Sequence, residues 1–318
     1  MNEPVIERPA APPAGTVSRM TGVITSPGPT FQEISRRPSW ITPVLVYLVV
    51  FILVFGYFSM KADWVAIMTD QIENNPFMGM VSDTQRDQIV SKATADIKKM
   101  SPTQMTLQNV VNYLPWIVPM LHLLAMIFST LFVMMGSLPR LQLGKAWLNF
   151  LGCLLVMIAY LAVFSIAQVA FKDAADSRIL LGMLAGVATA TAWIWLLNRR
   201  AKADPEFHAI MAVVGYGSVV LLVGVVALLA LTIVTPAPIT TPPQNMVKAN
   251  LGALVKTGIP ALQKLLEAFD LFWLWFFSVL TIGFRPVTKL STGVTAAITF
   301  LPWAVVVMLS VAFAAVFG

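Results

Sequence analysis

Glu267-Ala268-Phe269-Asp270-Leu271-Phe272-Trp273-Leu274-Trp275-Phe276-Phe277-Ser278-Val279-Leu280-Thr281-Ile282-Gly283-Phe284-Arg285-Pro286-Val287-Thr288-Lys289-Leu290 reads as one membrane crossing. Acidic and aromatic side chains (Glu267, Asp270, Trp273, Trp275) open it, and an uncharged apolar run follows. Gly283-Phe284-Arg285-Pro286 closes it, with Lys289 just beyond. Rings at one boundary and cations at the other anchor a helix in both interfaces of a bilayer. From Phe269 to Phe284 the span is short, so it stands nearly upright or thins the bilayer around it.

The remainder of the chain is built for the same solvent. Of 318 residues, 58% are hydrophobic and only 11% charged, against roughly 25% charged in a soluble domain. Too few charges remain to coat a globule, and a mean hydropathy of +0.78 fits a chain that mostly faces lipid. The formal net charge of +6 sits in short loops beside apolar runs. That placement reads as membrane topology and not as a nucleic-acid patch. The single cysteine, Cys153, excludes an intramolecular disulfide and lies in an apolar run, as a core thiol does. Residues 1–40 contain no apolar stretch of the signal-peptide kind, so insertion is expected to use an internal span.

In chain order, residues 1–16 are polar and proline-rich and are expected to be disordered. Residues 17–40 alternate Val17, Met20, Ile24, Phe31, Ile34 and Trp40 with Arg19, Glu33, Arg36 and Arg37. They read as a cytoplasmic amphipathic segment lying on the membrane, its arginines toward anionic headgroups. Residues 41–318 form an all-α polytopic bundle with seven predicted spans: about 41–60, 114–137, 146–171, 179–197, 209–234, 269–284 and 294–317, the last expected to bend at Pro302. Two long loops, 61–113 and 235–268, lie on one side. In the first, Ser82-x-x-Gln85 and Ser101-Pro102-x-Gln104 are helix starts. Ile89, Ala93, Ile97 and Met100 recur at helical spacing, which predicts a small helical hairpin. The second begins extended at Pro236, Pro238, Pro242 and Pro243, and continues as an amphipathic interfacial stretch through Leu266.

Loop charge orients the bundle. Arg140 and Lys145, then Arg199, Arg200 and Lys202, then Arg285 and Lys289 fall on the same side as Arg36 and Arg37. The positive-inside rule puts that side, with the N-terminus, in the cytoplasm and the C-terminus outside.

Several stretches together resemble the Yip domain family (Yip-one, Ypt/Rab-interacting membrane proteins) in its bacterial branch. Asp270-x-Phe272-x-x-Trp275, then Gly283 and Thr288-Lys289-Leu290-Ser291, is similar to that family's penultimate-span signature. Ser26-Pro27 with Thr30-Phe31, and Arg37-Pro38-Ser39-Trp40, resemble its N-terminal entry. Val213-Val214-Gly215-Tyr216-Gly217-Ser218 is similar to its central helix, and Asn250-Leu251-Gly252-Ala253 to the loop before the signature. Family members usually have about five spans; here two more lie between Leu114 and Leu197. The resemblance implies an integral protein of the cell (inner) membrane that acts through protein partners. It supplies no assigned activity and no binding residue.

Candidate chemistry is sparse. His122 is the ionisable side chain well inside a span, so a proton or ligand site is one reading. A neutral His hydrogen-bonded to a helix neighbour is the favoured one. Asp270 is favoured as a helix-capping carboxylate, with contact to a partner as the alternative. Gly182-x-x-x-Gly186 with Ala190 lays small residues on one helix face, read as intramolecular packing ahead of dimerisation. No phosphate-cradling loop, nucleophile elbow or paired intramembrane carboxylate occurs in the sequence. His122, His208 and Cys153 lie in different segments and do not make a metal set. The expectation is a non-catalytic scaffold or adaptor in the lipid bilayer, with no cofactor and no nucleic-acid partner. The alternative is a permease or channel for a neutral solute.

The orientation predicts a labelling pattern. With Cys153 replaced, a cysteine at Asn198 should be shielded from an impermeant thiol reagent in intact cells, whereas one at Pro242 should react. Reaction at both, or the reverse pattern, contradicts the seven-span arrangement.

Overall fold

A computed structural model describes residues 15–73, 81–95, 97–170 and 174–317. Two short helices come first, α1 (Thr16–Thr25) and α2 (Pro27–Arg36). α3 (Ile41–Lys61), α4 (Trp64–Glu73), α5 (Asp83–Ala95), a single 3-10 turn (Ile97–Lys99) and α6 (Pro102–Met134) follow. Then come α7 (Leu143–Ala170), α8 (Ala175–Ala203), α9 (Pro205–Gly217) and α10 (Val219–Val234). The chain ends with α11 (Pro243–Met246), α12 (Leu251–Leu254), α13 (Pro260–Ala268), α14 (Leu271–Thr288) and α15 (Thr292–Phe317). Among the described residues no strand forms; extended pairing is confined to the bridges Ala62–Ile239 and Asn250–Asp270.

Among the described residues, seven helical segments are long and apolar enough to cross a membrane: Ile41–Lys61, Trp116–Met134, Leu143–Ala167, Asp176–Ala203, Pro205–Val234, Leu271–Thr288 and Thr292–Val316. The protein is therefore an all-α polytopic membrane bundle. The shortest, α14, has 18 residues, or about 27 Å of helix against a hydrocarbon core of about 30 Å. α9 and α10 make one span, joined by a turn at Ser218 whose hydroxyl donates to the Gly215 carbonyl at 2.8 Å.

Both sequence-marked helix starts form. Gln85 N–H donates to the Ser82 hydroxyl at 3.3 Å, and Gln104 N–H to the Ser101 hydroxyl at 3.2 Å, with each glutamine side chain accepting in return. The second start differs in extent from the expected hairpin arm. The helix it opens runs unbroken from Pro102 to Met134, so loop arm and second span are one rod of 33 residues. Pro119 does not interrupt it, nor does Pro302 interrupt α15. Of the expected tail over residues 1–16, residues 1–14 lie outside the described residues, and Thr16 already opens α1.

α9 is the central post. Phe207 and every residue from Ala209 to Gly217 are buried, the state in which a helix apolar on all sides is stable. α2, α3, α6, α8 and α14 pack around it. Glycine sets how closely they come. A Cβ on Gly215 would stand 3.3 Å from the Trp40 carbonyl, and one on Gly217 2.5 Å from Leu280 Cδ2. One on Gly283 would stand 2.7 Å from Val213 Cγ1 and 3.0 Å from the Phe31 ring.

The apolar face expected to lie on the membrane over residues 17–40 is in part turned inward: Val23, Phe31 and Ile34 are fully buried, and Trp40 nearly so, in the main core, while Val17 and Ile24 stay exposed. The Arg19 guanidinium fastens the turn between α1 and α2, pairing with Glu33 at 3.0 Å and donating to the Arg37 carbonyl at 3.1 Å. Ser39 and Tyr216 hydroxyls meet at 3.2 Å. The slot over Gly283 accepts a whole phenyl ring, and close protein packing gives that ring more dispersion contact than mobile acyl chains do.

Filling the slot should be costly. Gly283→Val is expected to destabilise the protein by about 2–3 kcal/mol through overpacking. At Gly152 an added Cβ meets nothing within 4 Å, and the same change there should stay within about 1 kcal/mol. Thermal unfolding of both variants in mild detergent checks this.

Candidate functional site

The signature residues of α14 are divided between its ends. Asp270 is the N-cap: its Oδ1 accepts from Phe272 N–H at 2.9 Å and Trp273 N–H at 3.2 Å, satisfying two free amides of the first turn. The loop of Asn250 is pinned beside it, with Leu271 N–H donating to the Ala249 carbonyl at 2.9 Å and Leu251 N–H to that of Phe269 at 3.3 Å. Asn250 Oδ1 in turn accepts from Ala253 N–H at 2.9 Å. Gly252 makes room for α13, since a Cβ there would lie 2.6 Å from Glu267 Cγ. Burial works to raise the Glu267 carboxyl, but hydrogen bonds from Lys264 and Gln263 outweigh it and hold the group below the usual range.

Phe272 lies across Gly224 of α10, its ring 3.5 Å from where a Cβ would stand. Trp275 is half-buried against the main core. Gly283 is thirteen positions beyond Asp270, about 20 Å along the helix axis, so the two do not share a site. What the fold does join is Gly283 with other stretches singled out in the sequence. Phe31 from the N-terminal entry and Val213 from the central helix meet over it, while Trp40 closes on Gly215. Sequence reading had no signal for this convergence, because the partners are far apart in the chain.

His122 on α6 is fully buried and boxed by rings: Phe150 at 5.0 Å, Phe207 at 5.9 Å and Trp193 at 6.0 Å between centroids. Trp193 Nε1–H donates to His122 Nδ1 at 3.1 Å. Nδ1 is therefore the acceptor, and a neutral ring carries its proton on Nε2, which lacks a hydrogen-bond partner. Gly182 and Gly186 are buried and Ala190 is half-buried, on the face of α8 that carries Trp193 toward α6 and α7. The small-residue stripe is thus used within the molecule. Among the described residues no group of three or more His, Cys, Asp or Glu is placed to hold a metal.

Two polar clamps escaped the sequence reading. Arg200 and Asp204, 9% and 3% exposed, pair at 2.7 Å. Asp204 also accepts from the Gln142 and Phe207 amides at 3.0 and 3.2 Å, while Arg200 donates to the Gln142 carbonyl at 3.2 Å. Together they tie the α6–α7 loop to the start of α9. The signal was present: Asp204 before Pro205 is an N-cap followed by proline at the first helical position, and Arg200 stands four residues ahead. At the opposite end, Lys61 Nζ donates to the carbonyls of Thr232 at 2.6 Å and Thr235 at 3.0 Å, closing the C-terminus of α10.

Comparison with known proteins finds no match to a family model, a curated protein or a solved structure.

The His122 box predicts unequal costs for two substitutions. His122→Leu strands the buried Trp193 N–H and should cost about 1–3 kcal/mol. His122→Gln retains an acceptor and should cost about 1 kcal/mol or less. Thermal stability in detergent distinguishes them; equal effects would mean the hydrogen bond contributes nothing.

Proposed function

We propose that this protein is a non-catalytic scaffold or adaptor of the cell (inner) membrane, resembling the bacterial branch of the Yip domain family. The observation that carries the reading is the junction over Gly283. Stretches quoted for the resemblance, around Phe31, Trp40, Val213–Gly217 and Gly283, meet there and mount α1 and α2 on one end of the bundle. That end also bears Arg140, Arg199, Lys202, Arg285 and Lys289. By the positive-inside rule it is the cytoplasmic end. The folded α1–α2 unit, with Arg36, Arg37 and Val17 outward, is a platform for protein partners. The side chains with chemical potential in this bundle have structural duties: Asp270 caps a helix, and His122 accepts a hydrogen bond in the core.

One observation favours the alternative, passage of a neutral solute. A hollow of about 370 Å³ lies between α3, α6, α10 and α14, lined by Tyr47, Ile117, Leu121, Leu221, Trp273 and Phe276. Its walls suit an apolar guest.

Recovery of partners after mild solubilisation, set beside solute flux in proteoliposomes, separates the two. The scaffold reading expects partner recovery from wild type and its reduction in Phe31→Ala, which loosens the seat of α1 and α2 on the bundle. Flux above that of empty liposomes, with no partner recovered, would overturn it. Loss of partners in Asp270→Asn at unchanged thermal stability would instead move the binding site to the start of α14.

A further inference from the structure

At the end of α14 the protein surface opens into a hollow of about 280 Å³. α2 contributes Gly28 and Gln32; α14 and the residues after it contribute Ile282, Arg285, Lys289 and Leu290. Two cations therefore line it, and no carboxylate does. Among the described residues neither the Arg285 nor the Lys289 side chain has a hydrogen-bond or ion-pair partner. Gly28 is the second residue of α2; with prolines on either side of it and the Thr30 N–H bonded to the Ser26 carbonyl, its own amide is the free donor of that helix start beside the hollow. Two cations without counter-charge, with one free amide beside them, are chemistry that holds a phosphate.

We propose that this hollow binds the phosphate of an anionic phospholipid headgroup. Its position argues for a lipid source over a soluble one. α14 is a membrane span, and Arg285 and Lys289 stand at its last turn, where side chains meet the headgroup layer. Ile282 and Leu290 give the hollow an apolar wall, which a free phosphate ion cannot use and the glycerol and upper acyl carbons of a lipid can. Cations at a helix C-terminus also complement its dipole, but that duty needs no cavity. Lys289 adds a second consideration. It holds φ 59° as the C-cap of α14, a conformation in which glycine is free of steric cost and lysine is not. A lysine there is better explained by what its side chain reaches than by the turn.

The two glycine-related positions give a test that spares the fold. A Cβ on Gly28 meets nothing within 4 Å, so Gly28→Glu places a carboxylate among the cations without a clash. Lys289→Gly removes a cation and relieves the backbone. The full chain, purified in mild detergent, is titrated with phosphatidylglycerol, with phosphatidylcholine and with inorganic phosphate, and thermal unfolding is followed. Phosphatidylglycerol should raise the unfolding temperature of the wild type, and phosphatidylcholine should not. Neither variant should lower the lipid-free unfolding temperature, and both should need roughly tenfold more phosphatidylglycerol for the same rise. Native mass spectrometry of the same samples reads bound lipid without relying on stability, and should show fewer phosphatidylglycerol molecules on each variant. Wild-type retention by both variants, or no rise with phosphatidylglycerol in the wild type, overturns the proposal. An equal rise with inorganic phosphate overturns the lipid as its source.

Discussion

Everything at the Arg-rich end of the bundle depends on the absence of one side chain. At Gly283 the backbone of α14 comes close enough to α9 for Val213 to touch it, and the remaining space takes the ring of Phe31. A methyl group at that point would push on a stiff β-branched side chain and a fully buried ring at once. Burying a Phe side chain is worth about 1.5–3 kcal/mol relative to water. That is enough to hold two ten-residue helices in place only because Val23, Ile34 and Trp40 are buried with it. The N-terminal segment from Thr16 on is therefore part of the bundle.

Polar interactions close the two ends in different ways. At the Arg-rich end a nearly buried ion pair, Arg200–Asp204, has its remaining bonds supplied by the backbone of Gln142 and Phe207. Such a pair contributes little net stability, but removing one partner strands the other charge at a cost of about 3–5 kcal/mol. It fixes where the α6–α7 loop sits. At the other end Lys61 meets carbonyls that have no amide partner, the negative end of the α10 dipole. Its backbone carbonyl also accepts from Ile239 N–H at 2.9 Å, so one residue joins the first span, the fifth span and the loop after it.

Between those ends the division of side chains is that of a membrane protein. Leu148, Leu155, Leu180, Leu184, Val306, Met308 and Leu309 point outward and are more than half exposed, as lipid-facing residues must be when no water drives them inward. Inside, ring packing dominates. Phe284 meets Phe128 at 4.9 Å and Phe132 at 5.0 Å, and His122 lies among Phe150, Trp193 and Phe207. An imidazole that accepts from tryptophan in such a box is a packing element with a polar handle.

The sequence by itself determined the number and order of the spans and several of the helix starts. Those features rest on local quantities: the length of an apolar run, the side chain before its first turn, the charge just beyond its last. Asp270 as a cap, the starts at Ser82 and Ser101, and Gly182 and Gly186 as packing positions were legible for that reason. Pro119 and Pro302 both lie inside unbroken helices, where neighbouring packing can carry a proline. Only the tertiary structure decided that Phe31 fills a slot at Gly283, that Trp193 bonds His122, and that Arg200 turns inward to Asp204 while Arg285 stays unpaired beside a hollow. An amphipathic helix presents the same pattern of residues whether its apolar face meets lipid or protein. The choice depends on whether a cavity of the right shape exists elsewhere in the fold, and that shape is made by residues more than a hundred positions away.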